Sequence, residues 1–435
     1  MSTEATQREA DAVVIGGGIV GSATAYYLAK RGAKVVLLEK GSIGNEQSSR
    51  AWGFVRQQGR DLAELPLMIE SNKSWPGLCR ELETDIEWVQ GGNLRLARDD
   101  EQLAQYEDWL ASTRGLDLDT RMVSPTEIKE LIPDMATPPL GGMYTPSDGH
   151  AEPLKVAPAF ARAAASLGAE VYTDCPAQGV EVAAGRVTGV ITGRGVIKTP
   201  AVVCAAGAWS TRIARSVGIS LPQASVLSTA AETEPVRAVT TVAGWTPQCA
   251  FRQRPNGSFY IAGGGRGDID LTFDAVRYAR QFMPNYVKNR SIFRLRVGRR
   301  LLGDVAQSLR GAAAGRRPFL AREGDVEPKP DLDLARRSRD RFTELFPALG
   351  PVRLHRVWAG YIDSLPDAVP VLGETGQVQG FILATGFSGH GFAMGPIVGQ
   401  LMAELIVDGQ PSVDIRTLSY ERFLTGHIAR PKSVV

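Results

Sequence analysis

Residues 11–21 constrain the fold more than any other stretch, because an apolar run there ends in the pattern Gly16-x-Gly18-x-x-Gly21. An alanine-rich helical pattern follows, and then a second apolar strand that ends at Glu39. This order of strand, glycine turn, helix, strand and acid is typical of a βαβ unit that binds a dinucleotide. The first two glycines allow a tight turn and a close approach of the pyrophosphate. The third lets the helix pack on the strand, and the acid accepts a hydrogen bond from a ribose hydroxyl.

Bulk composition excludes several classes of protein. The chain has 435 residues, 43% apolar and 22% charged, with a formal net charge of +2, so nothing global favours nucleic acid or membrane binding. Its four cysteines form no C-x-x-C pair, so we predict neither a disulfide framework nor a metal site. No run approaches the roughly 18 apolar residues of a membrane span. The first ten residues are polar and show no secretion signal, so we expect a cytoplasmic protein.

Nucleotide-binding patterns recur in the middle and near the end of the chain, with other segments inserted between them. We therefore predict an α/β (α+β) chain in which a Rossmann-like nucleotide-binding domain is interleaved with a substrate domain. The first domain is expected to comprise residues 1–60, 148–222 and 355–435. The second, built on a large mixed or antiparallel sheet, is expected to comprise residues 61–147 and 223–354.

Residues 276–318 are predicted to form a basic helical insertion, because eleven Lys or Arg residues alternate there with large apolar ones. Three interpretations stay open: a solvated face, a helix on a membrane surface, or a docking surface for a partner.

Residues 386–395 form a loop that is nearly free of side chains, so its backbone can approach a flat ring closely. Pro396 follows and is predicted to open a helix, because proline is favoured at the first helical position. A helix N-terminus at this place would stabilise negative charge on a bound cofactor.

Three groups of residues, taken together, resemble the FAD-dependent D-amino acid oxidase superfamily, which includes glycine oxidase and sarcosine oxidase. They are the N-terminal glycine pattern through Glu39, the pair 148–153 and 202–210, and the set 358–360, 366–373 and 384–392. The resemblance covers nearly the whole chain in the right order. It implies FAD as the cofactor and an FAD domain packed on a substrate domain with a large mixed sheet.

The resemblance also implies a reaction. The C–N bond of a small secondary or primary amino acid is oxidised by hydride transfer to flavin N5. Water then hydrolyses the imine to an aldehyde or keto acid, such as glyoxylate, and an amine, while O2 is reduced to H2O2. Gly360 stands where sarcosine oxidase-like members carry the cysteine that links flavin covalently, so noncovalent FAD is expected.

The glycine patterns and the resemblance together give the expected FAD-binding residues. These are Gly16, Gly18, Ile19, Val20, Gly21, Glu39, Lys40, Ser48, Ser49, Arg50, Val180, Ala206, Gly207, Trp209, Gly360, Gly386, Ser388, Gly389, His390, Gly391 and Phe392.

The expected catalytic residues are Arg56, Arg50, His390, Tyr260 and Arg252. Arginine suits a substrate carboxylate because its planar fork binds both oxygens, and Arg254 and Arg266 are further candidates. The arginine that glycine oxidase-like members place after Trp-Ala-Gly is missing here, where Tyr361-Ile362-Asp363 stands instead. Several arginines near the site favour a substrate with two carboxylates, such as iminodiacetate.

The expected partners are a small amino-acid substrate and O2 or another electron acceptor, with no nucleic acid. Two alternatives remain at this level. One is a membrane-associated amino-acid dehydrogenase that passes electrons to quinone, and the other is a flavoprotein subunit whose activity depends on a partner chain.

Overall fold

The computed structural model describes residues 8–136, 140–263, 267–270, 273–288, 290, 293–296, 327–426 and 428. Within these ranges the chain is a mixed α/β structure with two principal sheets, which confirms the predicted fold class.

The smaller principal sheet, called the parallel sheet, carries the glycine turn at its centre. Its described strands, in spatial order, are Val371–Glu374, Phe381–Thr385, Val202–Cys204, Ala12–Ile15, Val35–Leu38 and Glu170–Tyr172. Neighbours run parallel except for the first two, which pair antiparallel. Its central strands are apolar and fully buried, as expected for a sheet covered on both faces.

The larger principal sheet, called the large sheet, is mixed and contains ten described strands. In spatial order nine of them are Phe293–Arg296, Gly267–Asp270, Ala224–Thr233, Phe259–Gly263, Cys249–Gln253, Ala243–Trp245, Asn93–Ala97, Gly141–Thr145 and Arg121–Val123. The tenth, Leu354–Ser364, pairs along the whole length of Ala224–Thr233.

Two small sheets complete the described β-structure. One holds Arg8–Glu9, Gly195–Lys198, Arg186–Thr192 and Ala177–Ala183, and the other holds Phe54–Val55 and Gly149–His150.

Helices cover the parallel sheet and pack on the large sheet. The described α-helices are Ile19–Lys30, Gln47–Arg50, Leu65–Ser74, Leu78–Glu81, Asp100–Ser112, Pro125–Leu131, Pro153–Ser166, Ser210–Ser216, Phe273–Arg277, Ala279–Lys288, Leu332–Leu345, Gly391–Val407 and Glu421–Leu424. Short 3-10 helices lie at Trp75–Gly77, Gly207–Trp209, Pro347–Leu349 and Arg416–Leu418. In the part of the chain that is described, no helix is long and apolar enough to cross a membrane.

The prediction that Pro396 opens a helix is wrong, because the helix begins at Gly391 and Pro396 lies inside it. The glycines of this stretch serve helix packing instead. A Cβ at Gly395 would lie 2.6 Å from the Ile19 side chain, and one at Gly399 would lie 2.5 Å from the Ala23 Cβ. The missing side chains therefore let Gly391–Val407 pack closely against Ile19–Lys30.

The predicted basic insertion is only partly helical. Its described residues include the end of one helix, the helix Ala279–Lys288 and the strand Phe293–Arg296. The strand pairs in parallel with Gly267–Asp270, so edge pairing with the large sheet overrides the helical pattern there. Residues 297–318 lie outside the described ranges.

Candidate active site

A cavity of about 780 Å³ lies between the two principal sheets and is called the central cavity. Its wall includes Ile15, Leu38 and Ala205, which lie at the carboxyl ends of three strands of the parallel sheet, and Val226 and Gly360 of the large sheet. Ligands of α/β folds bind at such carboxyl ends, and this volume is within the usual range of about 300–1,000 Å³ for ligand pockets.

The glycine turn and the acid that follows it meet at one end of the central cavity. The backbone N–H of Gly17 donates to Glu39 Oε2 at 2.7 Å, and that of Gly41 donates to Oε1 at 2.8 Å. Burial raises the pKa of Glu39 against the opposing effect of these two hydrogen bonds. A carboxylate held in this way at the cavity wall suits a ribose hydroxyl.

Ser48 and the first helix complete the phosphate end of the cavity. The backbone N–H of Ile19, the first residue of that helix, donates to Ser48 Oγ at 2.8 Å, and a Cβ at Gly18 would lie 3.0 Å from the same oxygen. The helix N-terminus and this hydroxyl are groups that bind a pyrophosphate. The residues present therefore fit a dinucleotide cofactor.

Trp209 lies at the same end beside Lys40, which was predicted from the sequence, and beside Glu46 and Arg212, which were not. Its indole N–H donates to Glu46 Oε2 at 2.8 Å, and Lys40 Nζ lies 5.1 Å from its ring centroid. Arg212 lies over the same ring at 4.8 Å. Such a ring between cations offers a flat apolar surface to a nucleotide base.

Asp363 organises the glycine loop, which we define as residues 386–390. Its Oδ2 accepts from the Gly386 N–H at 2.8 Å, and its Oδ1 accepts from Gln47 Nε2 at 2.8 Å. The Asp363 backbone carbonyl accepts from the N–H of Ser388 at 2.9 Å, and Ser388 itself has a positive φ of 49°. The loop is thus fixed by one buried carboxylate from the large sheet.

Three arginines converge on the central cavity, and we call Arg56, Arg60 and Arg95 the arginine cluster. A Cβ at Gly59 would collide with Arg95 Nη1 and would lie 3.5 Å from Arg56 Nη1, so two of the guanidinium groups meet over this glycine. Burial, together with the neighbouring charges of Arg60 and Arg95, lowers the pKa of Arg56 well below its usual range. A cluster of this kind gains stability from a bound anion.

Two nitrogens of the arginine cluster are buried without a hydrogen-bond partner among the described residues. They are Nη1 of Arg60 and Nε of Arg95. The Arg95 guanidinium is held by stacking, 4.7 Å from the ring centroid of Trp245 and 5.4 Å from that of Tyr106. Buried donors normally have acceptors, so these two nitrogens are exceptions whose hydrogen bonds the described residues do not satisfy.

Arg50 also lines the central cavity, but its guanidinium is engaged elsewhere. It donates to the Asn45 carbonyl from Nη2 at 3.1 Å and lies 3.3 Å from Glu327 Oε1. A Cβ added at Gly360 would lie only 2.5 Å from the Arg50 Cβ, so the missing side chain at Gly360 makes room for Arg50.

Most of the predicted site residues lie on the wall of the central cavity. Those found there are Gly16, Gly18, Ile19, Val20, Glu39, Lys40, Ser48, Arg50, Arg56, Ala206, Gly207, Trp209, Gly360, Ser388, Gly389, His390, Gly391 and Phe392. The remaining ones, which do not line it, are Gly21, Ser49, Val180, Gly386, Arg252 and Tyr260. Arg266 lies outside the described residues.

The residues away from the wall have structural contacts instead. A Cβ at Gly21 would collide with the Gly16 carbonyl oxygen, so Gly21 packs the first helix on the turn. Ser49 Oγ donates to the Glu46 carbonyl at 3.2 Å, and Val180 belongs to a small separate sheet.

Arg252 and Tyr260 belong to a buried ionic network between the two principal sheets. Arg252 Nη2 lies 3.1 Å from Glu152 Oε2, and Tyr260 Oη donates to Glu152 Oε1 at 2.9 Å. Arg254 Nε lies 3.0 Å from Glu152 Oε2. Arg252 and Arg254 are therefore paired with buried carboxylates. In the arginine cluster, Arg56 Nη1 and Arg60 Nε donate instead to the carbonyls of Gln58 and Arg56, and no ion pair is formed among the described residues.

Comparison with known proteins agrees with this geometry. Residues 11–405 match the family described as FAD dependent oxidoreductase (DAO), so this chain belongs to that family and its cofactor is FAD. It is 28% identical to human mitochondrial sarcosine dehydrogenase over 439 residues, covering 96% of this chain but only 42% of that protein's length. It is also 28% identical to glycine oxidase from Geobacillus kaustophilus over 429 residues, covering 97% and 98% of the two chains. The chain is therefore a member of a family of FAD-dependent oxidoreductases, and it spans less than half the length of the sarcosine dehydrogenase that it matches.

Solved structures share the fold. L-amino acid deaminase from Proteus myxofaciens superposes with a TM-score of 0.87 at 24% identity, over 97% of this chain and 96% of that one. Iminodiacetate oxidase from Chelativorans sp. BNC1 superposes with a TM-score of 0.66 at 19% identity, over 94% and 98%.

Proposed function

We propose that this protein oxidises the C–N bond of a small amino acid that carries two carboxylates, with iminodiacetate as the leading candidate. The products would be glyoxylate and glycine, and O2 would be reduced to H2O2. The arginine cluster carries the proposal, because Arg56, Arg60 and Arg95 line the cavity that also contains the glycine turn and the glycine loop.

FAD, when bound, supplies the two-electron oxidation of the amine. The protein's own part is to hold the substrate. Two carboxylates complement three guanidinium groups, whose nearest buried acids are Asp148 and Glu64. Paired charge–charge hydrogen bonds to a planar fork fix orientation as well as affinity. In this role Arg56 and Arg60 bind one carboxylate and Arg95 the other. The name of one structural neighbour, iminodiacetate oxidase, agrees with this assignment.

The remaining site assignments are part of the proposal. The FAD-binding set is the predicted group that lines the central cavity, and the FAD is held noncovalently. The domain division proposed from the sequence is retained, with the strand Leu354–Ser364 contributing to the large sheet. A cytoplasmic location is likewise proposed and is tested by cell fractionation.

The first experiment is an anaerobic reduction screen. Purified holoenzyme is mixed with iminodiacetate, sarcosine, glycine, proline or D-amino acids, and bleaching of the flavin absorption is followed. We expect the fastest bleaching with iminodiacetate. Bleaching only by monocarboxylates would overturn the dicarboxylate proposal, and bleaching by none would favour a chain that needs a partner.

Arg56→Ala tests the site itself. Loss of a charged hydrogen bond to a carboxylate is expected to raise KM for iminodiacetate by about 10- to 100-fold. The FAD content should not change. Arg416→Ala, which removes an exposed guanidinium outside the cavity, is the matched control. An unchanged KM in Arg56→Ala would exclude Arg56 from the site.

A second candidate is a dehydrogenase that works at a membrane surface. Val276, Met283 and Val287 are exposed apolar residues that alternate with arginines in and beside the helix Ala279–Lys288. Slow return of the flavin colour on readmission of air, together with sedimentation with anionic liposomes, would favour this candidate over the oxidase.

A further inference from the structure

A buried acid–imidazole pair lies beside the arginine cluster. His390 Nδ1 lies 2.9 Å from Glu64 Oε1, where Glu64 directly precedes the helix Leu65–Ser74 and His390 ends the glycine loop. The exposed fractions of the two side chains are 5% and 0%. His390 lines the central cavity, whereas Glu64 lies behind it.

The geometry assigns the proton between them. The buried atoms Glu64 Oε1, Glu64 Oε2 and His390 Nδ1 have no hydrogen bond of regular geometry among the described residues. Because a carboxylate only accepts hydrogen bonds, the 2.9 Å contact between Nδ1 and Oε1 favours the ring proton on Nδ1. Burial, together with the charge of Arg60, lowers the pKa of His390 to about 4 and outweighs the opposing effect of Glu64, so the ring is neutral near pH 7. A neutral ring that gives its one proton to the Glu64 side presents Nε2 as an acceptor to the cavity.

The acceptor matters because the arginine cluster offers only donors. Guanidinium groups suit the two carboxylates of an amino dicarboxylic acid but repel its ammonium nitrogen. The pair of neutral His390 and ionised Glu64 carries one negative charge. The lone pair on His390 Nε2 is complementary to an N–H donor. In the central cavity the arginine cluster thus suits the carboxylates of the substrate, and His390 beside it suits the amine.

We propose that His390 Nε2 accepts a hydrogen bond from the substrate's amine, and that Glu64 is the positioning residue that fixes the tautomer needed for this. The inference rests on the proposed function and extends it. With this hydrogen bond, the protein would prefer a dicarboxylate that has an N–H group between its two carboxylates. A dicarboxylate of the same shape without that N–H group would bind more weakly.

The test compares iminodiacetate with oxydiacetate, in which an ether oxygen replaces the N–H group. Binding is measured by calorimetry on holoenzyme reduced with dithionite under anaerobic conditions, where the bound amine cannot be oxidised. An acceptor facing an ether oxygen makes no hydrogen bond, so we expect iminodiacetate to bind at least about tenfold more tightly.

Glu64→Leu should lower this ratio to nearly one while the affinity for oxydiacetate stays within about threefold. Glu70→Leu, on the exposed side of the same helix, is the matched control and should keep the wild-type ratio. Equal binding of both ligands to the wild type would overturn this inference and leave the dicarboxylate proposal standing. If neither iminodiacetate nor oxydiacetate binds, both this inference and the dicarboxylate proposal are overturned.

A second measurement determines the tautomer of His390 in the wild-type protein directly. The chain has four histidines, so holoenzyme labelled with 15N-histidine gives few imidazole signals, and His390→Gln identifies the one from His390. We expect the Nδ1-protonated tautomer, with an Nε2 signal that shifts on addition of iminodiacetate. The Nε2-protonated tautomer would overturn the assignment.

Discussion

The side chain of Asp363 accepts a hydrogen bond from the backbone N–H of Gly386 at 2.8 Å and so joins the large sheet to the glycine loop. The carboxylate is 2% exposed and also accepts from the side chains of Gln47, Gln223 and Thr385. Burial raises the pKa of Asp363, and the hydrogen bonds from Gln47, Gly386 and Thr385 oppose that rise by favouring the ionised carboxylate. Asp363 thus occupies the stretch where glycine oxidase-like members were expected to carry an arginine, and its contacts hold the FAD site together.

Asp363→Asn is therefore expected to weaken FAD binding. The amide NH2 group would face donors, and the loss of one hydrogen bond to a charged group costs about 1.5–3 kcal/mol. We expect the Kd for FAD, measured by fluorescence titration of the apoprotein, to rise by at least about tenfold. Asp414→Asn, at an exposed ion pair with Arg416, should leave the Kd unchanged. Full FAD affinity in Asp363→Asn would contradict this role.

Gly360 is predicted to tolerate no side chain. A Cβ there would lie 2.5 Å from the Arg50 Cβ and 2.9 Å from its Cγ, so Gly360→Ala requires Arg50 to move. Overpacking of this kind costs about 1–3 kcal/mol, and a lower Tm with reduced FAD content is expected. Gly77→Ala, where a Cβ meets no atom within 4 Å, is the control for the loss of glycine itself.

Acid precipitation of the wild-type protein should release all of its FAD into the supernatant. The reason is that Gly360 offers no thiol at the position of the flavin-linked cysteine expected for sarcosine oxidase-like members. Yellow colour that stays with the precipitate would contradict noncovalent binding.

Asp148 gives the protein a pH-dependent stability. Burial raises the pKa of this carboxyl from 3.8 to about 7, although Gln57 donates two hydrogen bonds to its Oδ1. The folded state therefore binds the proton more tightly than the unfolded chain, so this contribution to stability is complete below about pH 4 and is lost as the pH rises to about 7. Asp148→Asn keeps the acceptor oxygen without the charge.

We expect Asp148→Asn to raise the Tm at pH 8 relative to the wild type and to leave it nearly unchanged at pH 4. Differential scanning calorimetry at a series of pH values measures this difference. The same Tm difference at both pH values would show that Asp148 does not titrate in this range.

Arg95 should control selectivity between dicarboxylates and monocarboxylates. Arg95→Lys keeps the charge but loses the planar fork and the stacking between Trp245 and Tyr106, so KM for iminodiacetate should rise by about tenfold or more. KM for sarcosine should change by less than about threefold. Arg121→Lys, at an exposed arginine 5.9 Å from the Tyr144 ring centroid on the same sheet, is the control. An equal rise for both substrates would place Arg95 at the shared carboxylate instead.

The nucleotide end of the site could be predicted from the sequence because its signals are local. The glycine turn, the helix Ile19–Lys30 and Glu39 lie within one βαβ unit, and the spacing alone defines their geometry.

The substrate end could not be predicted because it is assembled from distant segments. Arg95 reaches the cavity from a strand between two other strands of the large sheet, and Glu64 reaches His390 across more than 300 residues. Arg252 was chosen for the same reason as Arg56, yet its buried partner Glu152 lies a hundred residues away in the sequence. No local pattern separates an arginine that pairs with a buried carboxylate from one that does not.

The strand order of the parallel sheet has a consequence for biosynthesis. Val202–Cys204 lies between Ala12–Ile15, near the start of the chain, and Phe381–Thr385, near its end. A ribosome that has released only the first 350 residues has released the glycine turn but not the glycine loop, so a nascent chain cannot yet enclose the flavin ring. If the glycine loop encloses the flavin as proposed, we expect cofactor loading to be completed only after most of the large sheet has been synthesised.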